Sequence, residues 1–161
     1  MTPVLAHIGL GSNLEDPASQ VERTFAELAA LPGTRLARRS RLYRTPPWGL
    51  PGQPDFINAV AEVDTTLAPR DLLDQLLAIE LRRGRRRDGD RWGPRVIDLD
   101  VLLYGNLRLR EPGIEVPHPR LHERAFVLVP LAELDRTLDV PGQGSVGALA
   151  DALADASCVP L

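Results

Sequence analysis

The sequence predicts an α+β domain in which an antiparallel sheet carries two helices on one face and is followed by a C-terminal extension. The chain has 161 residues, a length that favours a single domain spanning residues 1–161. Apolar residues make up 43% of it, which is enough for a hydrophobic core. Strand-like and helix-like apolar patterns follow one another in the order β-α-β-β-α-β. That order is the ferredoxin-like arrangement.

Four strands of this arrangement are predicted from short apolar or alternating segments. They cover residues 4–10, 35–44, 56–63 and 96–104. The segment 11–13, which reads Gly-Ser-Asn, is expected to end the first strand. After the last strand, Gly105 and Asn106 predict a hairpin turn into residues 107–109.

Two helices connect these strands. The first has Asp16 as its cap and Pro17 in its first turn. Its apolar stripe comprises Val21, Phe25 and Leu28. The second helix runs from about residue 69 to 83. The final third of the chain predicts a helix from about residue 123 and a short one over 145–155, which extend the core.

Composition argues against several classes of protein. The net charge of −3 does not favour association with nucleic acid or with an anionic membrane. No segment approaches the roughly 18 consecutive apolar residues of a membrane span. The first residues lack a basic start and a long apolar run, so no signal peptide is expected and the cytoplasm is the expected location. The single cysteine, Cys158, offers neither an internal disulfide nor a zinc cluster.

Arginine is concentrated in one loop. The chain has no lysine, and seven of its 19 arginines lie between residues 82 and 95. The loop over 84–94 (GRRRDGDRWGP) combines them with Gly and Trp. Guanidinium groups match phosphate oxygens, and glycines let a backbone approach a ligand closely. Phosphate binding is therefore favoured over a solvated charge run or an RNA-binding patch.

The strand over 96–104 carries a second signal. Its alternation places Ile97, Leu99, Val101 and Leu103 on one apolar face. Asp98 and Asp100 point the other way, roughly 7 Å apart along the strand. Two such carboxylates without His or Cys suit Mg²⁺, which takes further ligands from water and substrate phosphates. The alternative is a solvated polar face.

Other residues give weaker signals. Glu80 falls within the apolar stripe of the second helix, so it needs a partner, for which the arginines that follow are the obvious candidates, or it reaches water at the helix end. Phe56 and Asn58 share a strand face that suits a flat, hydrogen-bonding ring, although a packed loop is an equal alternative. His118 lies between two prolines in a rigid turn. Walker and Rossmann glycine motifs are absent from the sequence.

Four ordered segments resemble the hydroxymethyldihydropterin pyrophosphokinase family along nearly the whole chain. Two of them are highly specific, namely YRTPPWGLPGQPDFIN at 43–58 and GRRRDGDRWGPRVIDLDVLLYG at 84–105. The segments IGLGSNL near the start and VPHPRLHERAFVLVPL at 116–131 agree with them. The resemblance implies that ATP donates pyrophosphate to the hydroxymethyl group of a reduced pterin in folate biosynthesis, with release of AMP. A monomer whose partners are these two small molecules is expected.

The resemblance also implies roles for individual residues. Two Mg²⁺ ions would be held by Asp98 and Asp100. The family's catalytic arginines match Arg85 and Arg95. ATP would be bound by Glu80, Arg87, Arg91, His118 and Arg124. The pterin would be bound by Thr45, Pro46, Pro47, Trp48, Phe56, Asn58, Trp92 and Phe126. Catalysis would rest on positioning and charge neutralisation, without a covalent enzyme intermediate.

The sequence departs from parts of the family pattern. Trp48 stands where some members have a smaller aliphatic residue, and Phe56 stands where others have tyrosine; both keep the pocket flat and apolar. Pro119 replaces a tyrosine that contacts nucleotide in some members.

Two other classes of protein are alternatives. An RNA-binding module of the same fold needs stacking aromatics on its central strands, but aromatic residues make up only 4% of the chain. A non-catalytic small-molecule sensor has no use for two aspartates beside arginines.

Overall fold

The structure is a computed structural model that describes residues 2–47, 52–84, 96–153 and 156–161. Ten strands are assigned within these residues: β1 Val4–Ser12, β2 Thr34–Arg39, β3 Tyr43–Thr45, β4 Phe56–Thr65, β5 Asp98–Tyr104, β6 Leu109–Glu111, β7 Ile114–Val116, β8 Asp139–Val140, β9 Gly144–Ser145 and β10 Val159–Pro160. The helices are α1 Pro17–Ala29, α2 Pro69–Arg82, α3 Ala125–Leu134 and α4 Val146–Leu153, with a 3₁₀ turn at Leu121–Glu123. Among these helices none has both the length and the apolar character that crossing a bilayer requires.

The central sheet has the strand order β10-β3-β4-β1-β5, and β2 also pairs with β4. Every pairing in it is antiparallel. Strand β1 lies between β4 and the edge strand β5. The predicted mixture of helices with an antiparallel sheet is confirmed.

Each face of the sheet is covered by a different pair of helices. Buried residues of α1 and α2 pack on one face, against the inward side chains of β1, β4 and β5. The predicted stripe of α1 is confirmed, because Val21, Phe25 and Leu28 are all buried there. The C-terminal extension, which the sequence left unplaced, supplies α3 and α4 and buries a second core on the opposite face.

The strand predicted over 35–44 is interrupted in the structure. It forms β2 and β3, which are separated by residues 40–42. The Ser40 hydroxyl accepts a hydrogen bond from the Val60 N–H at 2.9 Å, and the Ser40 N–H donates to the Val60 carbonyl at 2.9 Å. The Ser40 hydroxyl thus accepts the hydrogen bond that a backbone carbonyl would accept in a continuous strand. The alternation of apolar residues does not reveal such an interruption.

Two predictions about the first strand and helix need correction. Strand β1 continues through Gly11 to Ser12, because both residues still pair with β4. Asp16 precedes α1 as predicted, but its side chain makes no capping hydrogen bond, and its backbone is left-handed with φ at 62°. The adjacent Glu15 carbonyl is bonded by the Gln20 side chain at 3.0 Å.

The predicted apolar face of β5 is correct for Ile97, Leu99 and Val101 but wrong for Leu103. A shift in the β1–β5 register between His7 and Ile8 leaves Leu102 as an extra residue. Such a bulge turns the following side chain to the other face. Leu103 accordingly packs with α3 and α4 rather than with α1 and α2.

The predicted hairpin after Gly105 is also wrong. The turn exists, since the Leu107 N–H donates to the Tyr104 carbonyl at 3.0 Å. The strand that follows, β6, pairs with β7 instead of with β5. Within the described residues no strand pairs with the outer edge of β5, which instead accepts a hydrogen bond from the His118 N–H at the Leu102 carbonyl, at 2.9 Å.

The hydrogen bond between Ser40 and Val60 is expected to stabilise the fold. Replacing Ser40 by Ala leaves the buried Val60 N–H without this acceptor, so the free energy of unfolding should fall by about 1–3 kcal/mol. The same change at the exposed Ser19 of α1 should alter it by less than about 0.5 kcal/mol. Urea denaturation of both variants measures the difference. Equal stabilities for the two variants would contradict the role of Ser40.

Candidate active site

The two aspartates of β5 share one face of the sheet, as the alternation predicted. Leu99 and Val101 are buried in the core beneath α1 and α2. Asp98 and Asp100 alternate with them and are only half-buried. Their carboxylates therefore leave the sheet on the side opposite α1 and α2.

Strand β1 has glycine at both positions that pair with these aspartates. Gly11 of β1 is paired with Asp98, and Gly9 is paired with Asp100. On its other side, Gly11 is paired with Asn58 of β4. A Cβ atom added to Gly11 would lie 2.8 Å from Oδ1 of Asn58. Gly11 thus leaves a bare floor between Asp98 and the Asn58 carboxamide, whereas the Leu102 side chain lies over Gly9.

Asn58 is held in a fixed orientation by β3. Its Nδ2 donates a hydrogen bond to Oγ1 of Thr45 at 2.7 Å, and both residues are buried. Phe56 is paired with Thr45 and lies half-buried on the same face as Asn58. Pro46 and Pro47 follow directly after β3. The structure therefore brings together these residues, which the family resemblance assigned to the pterin.

The end of β1 also anchors the first long loop. Nδ2 of Asn13 donates to Oε1 of Gln53 at 2.9 Å and to the carbonyl of Pro54 at 3.1 Å. Nothing in the residues around Asn13 predicts this role. These contacts fix the chain just before Phe56 enters β4.

Glu80 contacts the strand that carries the aspartates. Its Oε2 accepts a hydrogen bond from the backbone N–H of Leu99 at 2.8 Å, and the residue is 2% exposed. Leu99 lies between Asp98 and Asp100 on an edge strand. The carboxylate therefore stabilises the edge strand β5, a backbone partner that the sequence analysis did not anticipate.

From the C-terminal part of the chain, His118 lies near Asp98, and Arg124 lies near His118. Nδ1 of His118 accepts a hydrogen bond from the Arg120 N–H at 3.1 Å. Burial, followed by the Arg124 charge, lowers the pKa of His118 to about 4, although the Asp98 charge opposes the change. The ring is therefore neutral near pH 7 and carries its proton on Nε2. The guanidinium of Arg124 lies 5.4 Å from the ring centroid of the half-buried Phe126.

Several predicted site residues lie outside the described residues. They are Trp48, Arg85, Arg87, Arg91, Trp92 and Arg95. The first two arginines of the cluster are described, and both form ion pairs with Glu27 of α1. Arg83 also donates to Oε1 of Gln20 at 2.8 Å. Arg82 and Arg83 thus attach the end of α2 to α1, and the prediction of phosphate binding applies to the arginines that follow.

The carboxylate pair fits a magnesium ion that is completed by substrate. Within the described ranges, no cluster of three or more His, Cys, Asp or Glu residues could hold a metal ion. Mg²⁺ is commonly bound by one or two carboxylates, with water and substrate phosphates as its remaining ligands. Asp98 and Asp100 provide that set beside a floor that a ligand can approach.

Comparison with known proteins identifies the family. The model of the 7,8-dihydro-6-hydroxymethylpterin-pyrophosphokinase (HPPK) family matches residues 7–136. The chain belongs to the HPPK family. The matched region includes residues 7–12 of β1 and all of β4, β5 and α3, which carry residues of the candidate site.

Curated relatives share this assignment. A 2-amino-4-hydroxy-6-hydroxymethyldihydropteridine pyrophosphokinase of Pseudomonas aeruginosa is 50% identical over 135 residues, covering 84% of this chain and 83% of the relative. The protein of the same name from Haemophilus influenzae is 40% identical over 158 residues, covering 98% of each. The similarity therefore covers more than four fifths of both relatives.

Solved structures show the same fold in longer chains. An HPPK-DHPS crystallised in complex with substrates has a TM-score of 0.75 at 12% identity, over 94% of this chain and 43% of the other. The wild-type HPPK-DHPS of Plasmodium falciparum, solved with pterin and p-hydroxybenzoate, has a TM-score of 0.70 at 14% identity, over 92% and 43%. The chain thus spans less than half of these proteins, and the similarity concerns the fold.

The glycine floor leads to a test of site geometry. Replacing Gly11 by Ala places a methyl group against Oδ1 of Asn58, so the carboxamide must move. We expect the Asn58 side-chain amide signal to shift in the ¹⁵N NMR spectrum. Gly9→Ala is the matched control, because its methyl group would meet the flexible side chain of Leu102 at 3.3 Å instead. An unchanged Asn58 signal in the Gly11 variant would show that the floor does not set its position.

Proposed function

We propose that this chain transfers the terminal pyrophosphate of ATP to the hydroxymethyl group of 6-hydroxymethyl-7,8-dihydropterin and releases AMP, a step of folate biosynthesis. Membership of the HPPK family supports this reaction. The observation that carries the proposal is the position of Asp98 across the bare Gly11 from Asn58, with Asp100 on the same face of the sheet. A phosphate-bound metal and a flat ring could then lie side by side on one face of the sheet.

The aspartates would hold Mg²⁺, and two ions are proposed on the basis of the family resemblance. When bound, Mg²⁺ neutralises phosphate charge and orients the oxygens of the transferred group. The half-buried positions of Asp98 and Asp100 support this role, because water and phosphate oxygens can reach them. Glu80 holds the intervening Leu99 amide and so keeps the spacing of the two carboxylates.

The pterin would lie against the Asn58 side of the floor. One N–H of the carboxamide is bonded to Thr45, which leaves the other N–H and Oδ1 for the edge of a ring. Phe56 and Phe126 offer flat apolar surfaces, and Pro46 and Pro47 limit the pocket next to Thr45. Trp48 and Trp92 are proposed to complete the pocket.

The nucleotide would lie on the opposite side, near His118 and Arg124. Neutral His118 can donate its Nε2 proton to a phosphate oxygen, and the Arg124 guanidinium adds positive charge. Glu80 is also proposed to contact the nucleotide. Four loop arginines are proposed to stabilise AMP and the transferred group as the charge moves: Arg85, Arg87, Arg91 and Arg95. The protein contributes positioning and electrostatic stabilisation rather than a covalent intermediate.

Several broader expectations belong to the same proposal. The chain is proposed to act as a cytoplasmic monomer without nucleic-acid or membrane partners, which its net charge of −3 supports. The core is proposed to be ferredoxin-like, with β2 and β3 counted as one interrupted strand. The order from that strand through β4 and β1 to β5 supports this description.

The reaction can be tested by measuring AMP formation from ATP with and without 6-hydroxymethyl-7,8-dihydropterin. Pterin-dependent AMP formation is expected, and it should require Mg²⁺. Asp98→Asn and Asp100→Asn should each lower the rate at least about a hundredfold, because each removes a charged ligand from the phosphate site.

The matched control is Asp74→Asn on the exposed face of α2, which should retain the rate of the unmodified protein. The proposal is contradicted if AMP formation does not depend on pterin, or if both β5 variants stay as active as the control. Competition of RNA with nucleotide for binding would instead favour an RNA-binding module.

A further inference from the structure

Strand β3 supports the proposed pterin pocket although it has only three residues. Tyr43 and Thr45 are buried on one face of it, and Arg44 between them is exposed. Thr45 accepts the hydrogen bond that orients Asn58. A strand this short makes few ladder hydrogen bonds, so other contacts must set its position.

The principal such contact comes from the last turn of α3. The Glu133 carboxylate accepts a hydrogen bond from the Tyr43 hydroxyl at 2.6 Å. Both of its oxygens lie 3.1 Å from the backbone nitrogen of Arg41. Glu133 therefore contacts Arg41, just before β3, and Tyr43, the first residue of β3, across about 90 residues of sequence.

The environment of Tyr43 keeps its hydroxyl protonated, so that the hydroxyl can donate a hydrogen bond. The residue is 2% exposed and packs against Ala125 and Cys158. Burial and the hydrogen bond to Glu133 raise the pKa of Tyr43 to about 12, so the phenol keeps its proton throughout the neutral range. A hydrogen bond to a charged acceptor is stronger than one between neutral groups.

Helix α3 also carries a predicted pocket residue at its other end. Phe126 lies in its first turn, whereas Glu133 lies in its last. Strand β3 carries Thr45 just beyond the residues that Glu133 holds. The Glu133 contacts thus join the two segments that supply opposite sides of the proposed pterin pocket.

We propose that Glu133 is a positioning residue for the pterin pocket, acting through Tyr43 and the Arg41 amide to place Thr45 and hence Asn58. Glu133 itself touches neither the proposed pterin position nor the aspartates. This inference rests on the proposed function for its kinetic consequence, but its structural consequence at Asn58 is independent of any reaction.

Three variants separate positioning from general stability. Tyr43→Phe removes only the hydroxyl, Glu133→Gln keeps an acceptor but removes the charge, and Glu133→Ala removes both contacts. The matched control is Asp64→Asn, which disrupts the Arg35–Asp64 ion pair between β2 and β4 at the far end of the sheet. Each variant is examined by the Asn58 side-chain amide signal without substrates and by the KM for pterin and for ATP.

We expect Glu133→Ala to shift the Asn58 signal and to raise the KM for pterin about tenfold, with the KM for ATP within about twofold of the unmodified protein. For Glu133→Gln, we expect a signal shift and a KM for pterin between those of the unmodified protein and those of Glu133→Ala, because the amide oxygen still accepts a hydrogen bond. The Asp64→Asn control should change neither the Asn58 signal nor the KM for pterin.

The proposal is overturned if the Asn58 signal and the KM for pterin stay unchanged in both Tyr43→Phe and the Glu133 variants. A parallel rise of both KM values with loss of folded protein would also overturn it, since that is the behaviour of a purely structural contact. If Glu133→Ala does not fold, Tyr43→Phe decides. If the unmodified protein forms no AMP, the proposed function fails, while the Asn58 signal still tests the positioning.

Discussion

The candidate site depends on the register in which β1 pairs with both of its neighbours. That register sets Gly11 between Asp98 and Asn58 and sets Gly9 beside Asp100. The carboxylates and the carboxamide therefore lie on one face, and between Asp98 and Asn58 the strand β1 contributes only Gly11. A slip of one residue in either pairing would turn one set of polar groups to the opposite face.

The same register is fixed by burial on the other face of the sheet. Ala6, Ile8 and Leu10 alternate with the glycine positions and are almost completely buried under α1 and α2. A slipped β1 would expose these side chains, and burying one such side chain fully is worth about 1.5–3 kcal/mol. Stability and site geometry thus follow from one alternation. The Glu80 carboxylate accepts a hydrogen bond from the Leu99 amide and so helps to hold the edge strand β5 in place.

Features with a local repeat could be predicted from the sequence, and features made by distant contacts could not. The shared face of Asp98 and Asp100 follows from the two-residue period of a strand, which is visible in the residues themselves. The error at Leu103 arose from a bulge, which breaks that period without a distinctive residue. Glycine inside a strand signals close approach, so Gly11 could have been found. Glu133 and Tyr43 are 90 residues apart and offer no comparable signal.

The central claim is that a divalent cation and nucleotide phosphates bind above the glycine floor beside the two aspartates. It is tested most directly by adding Mn²⁺ with a non-hydrolysable ATP analogue and recording paramagnetic broadening of backbone NMR signals. The account predicts that the signals of Gly9, Gly11, Asp98 and Asp100 broaden first, and that the broadening disappears when both aspartates are replaced by Ala. Broadening centred elsewhere, or retained in that double variant, would contradict it.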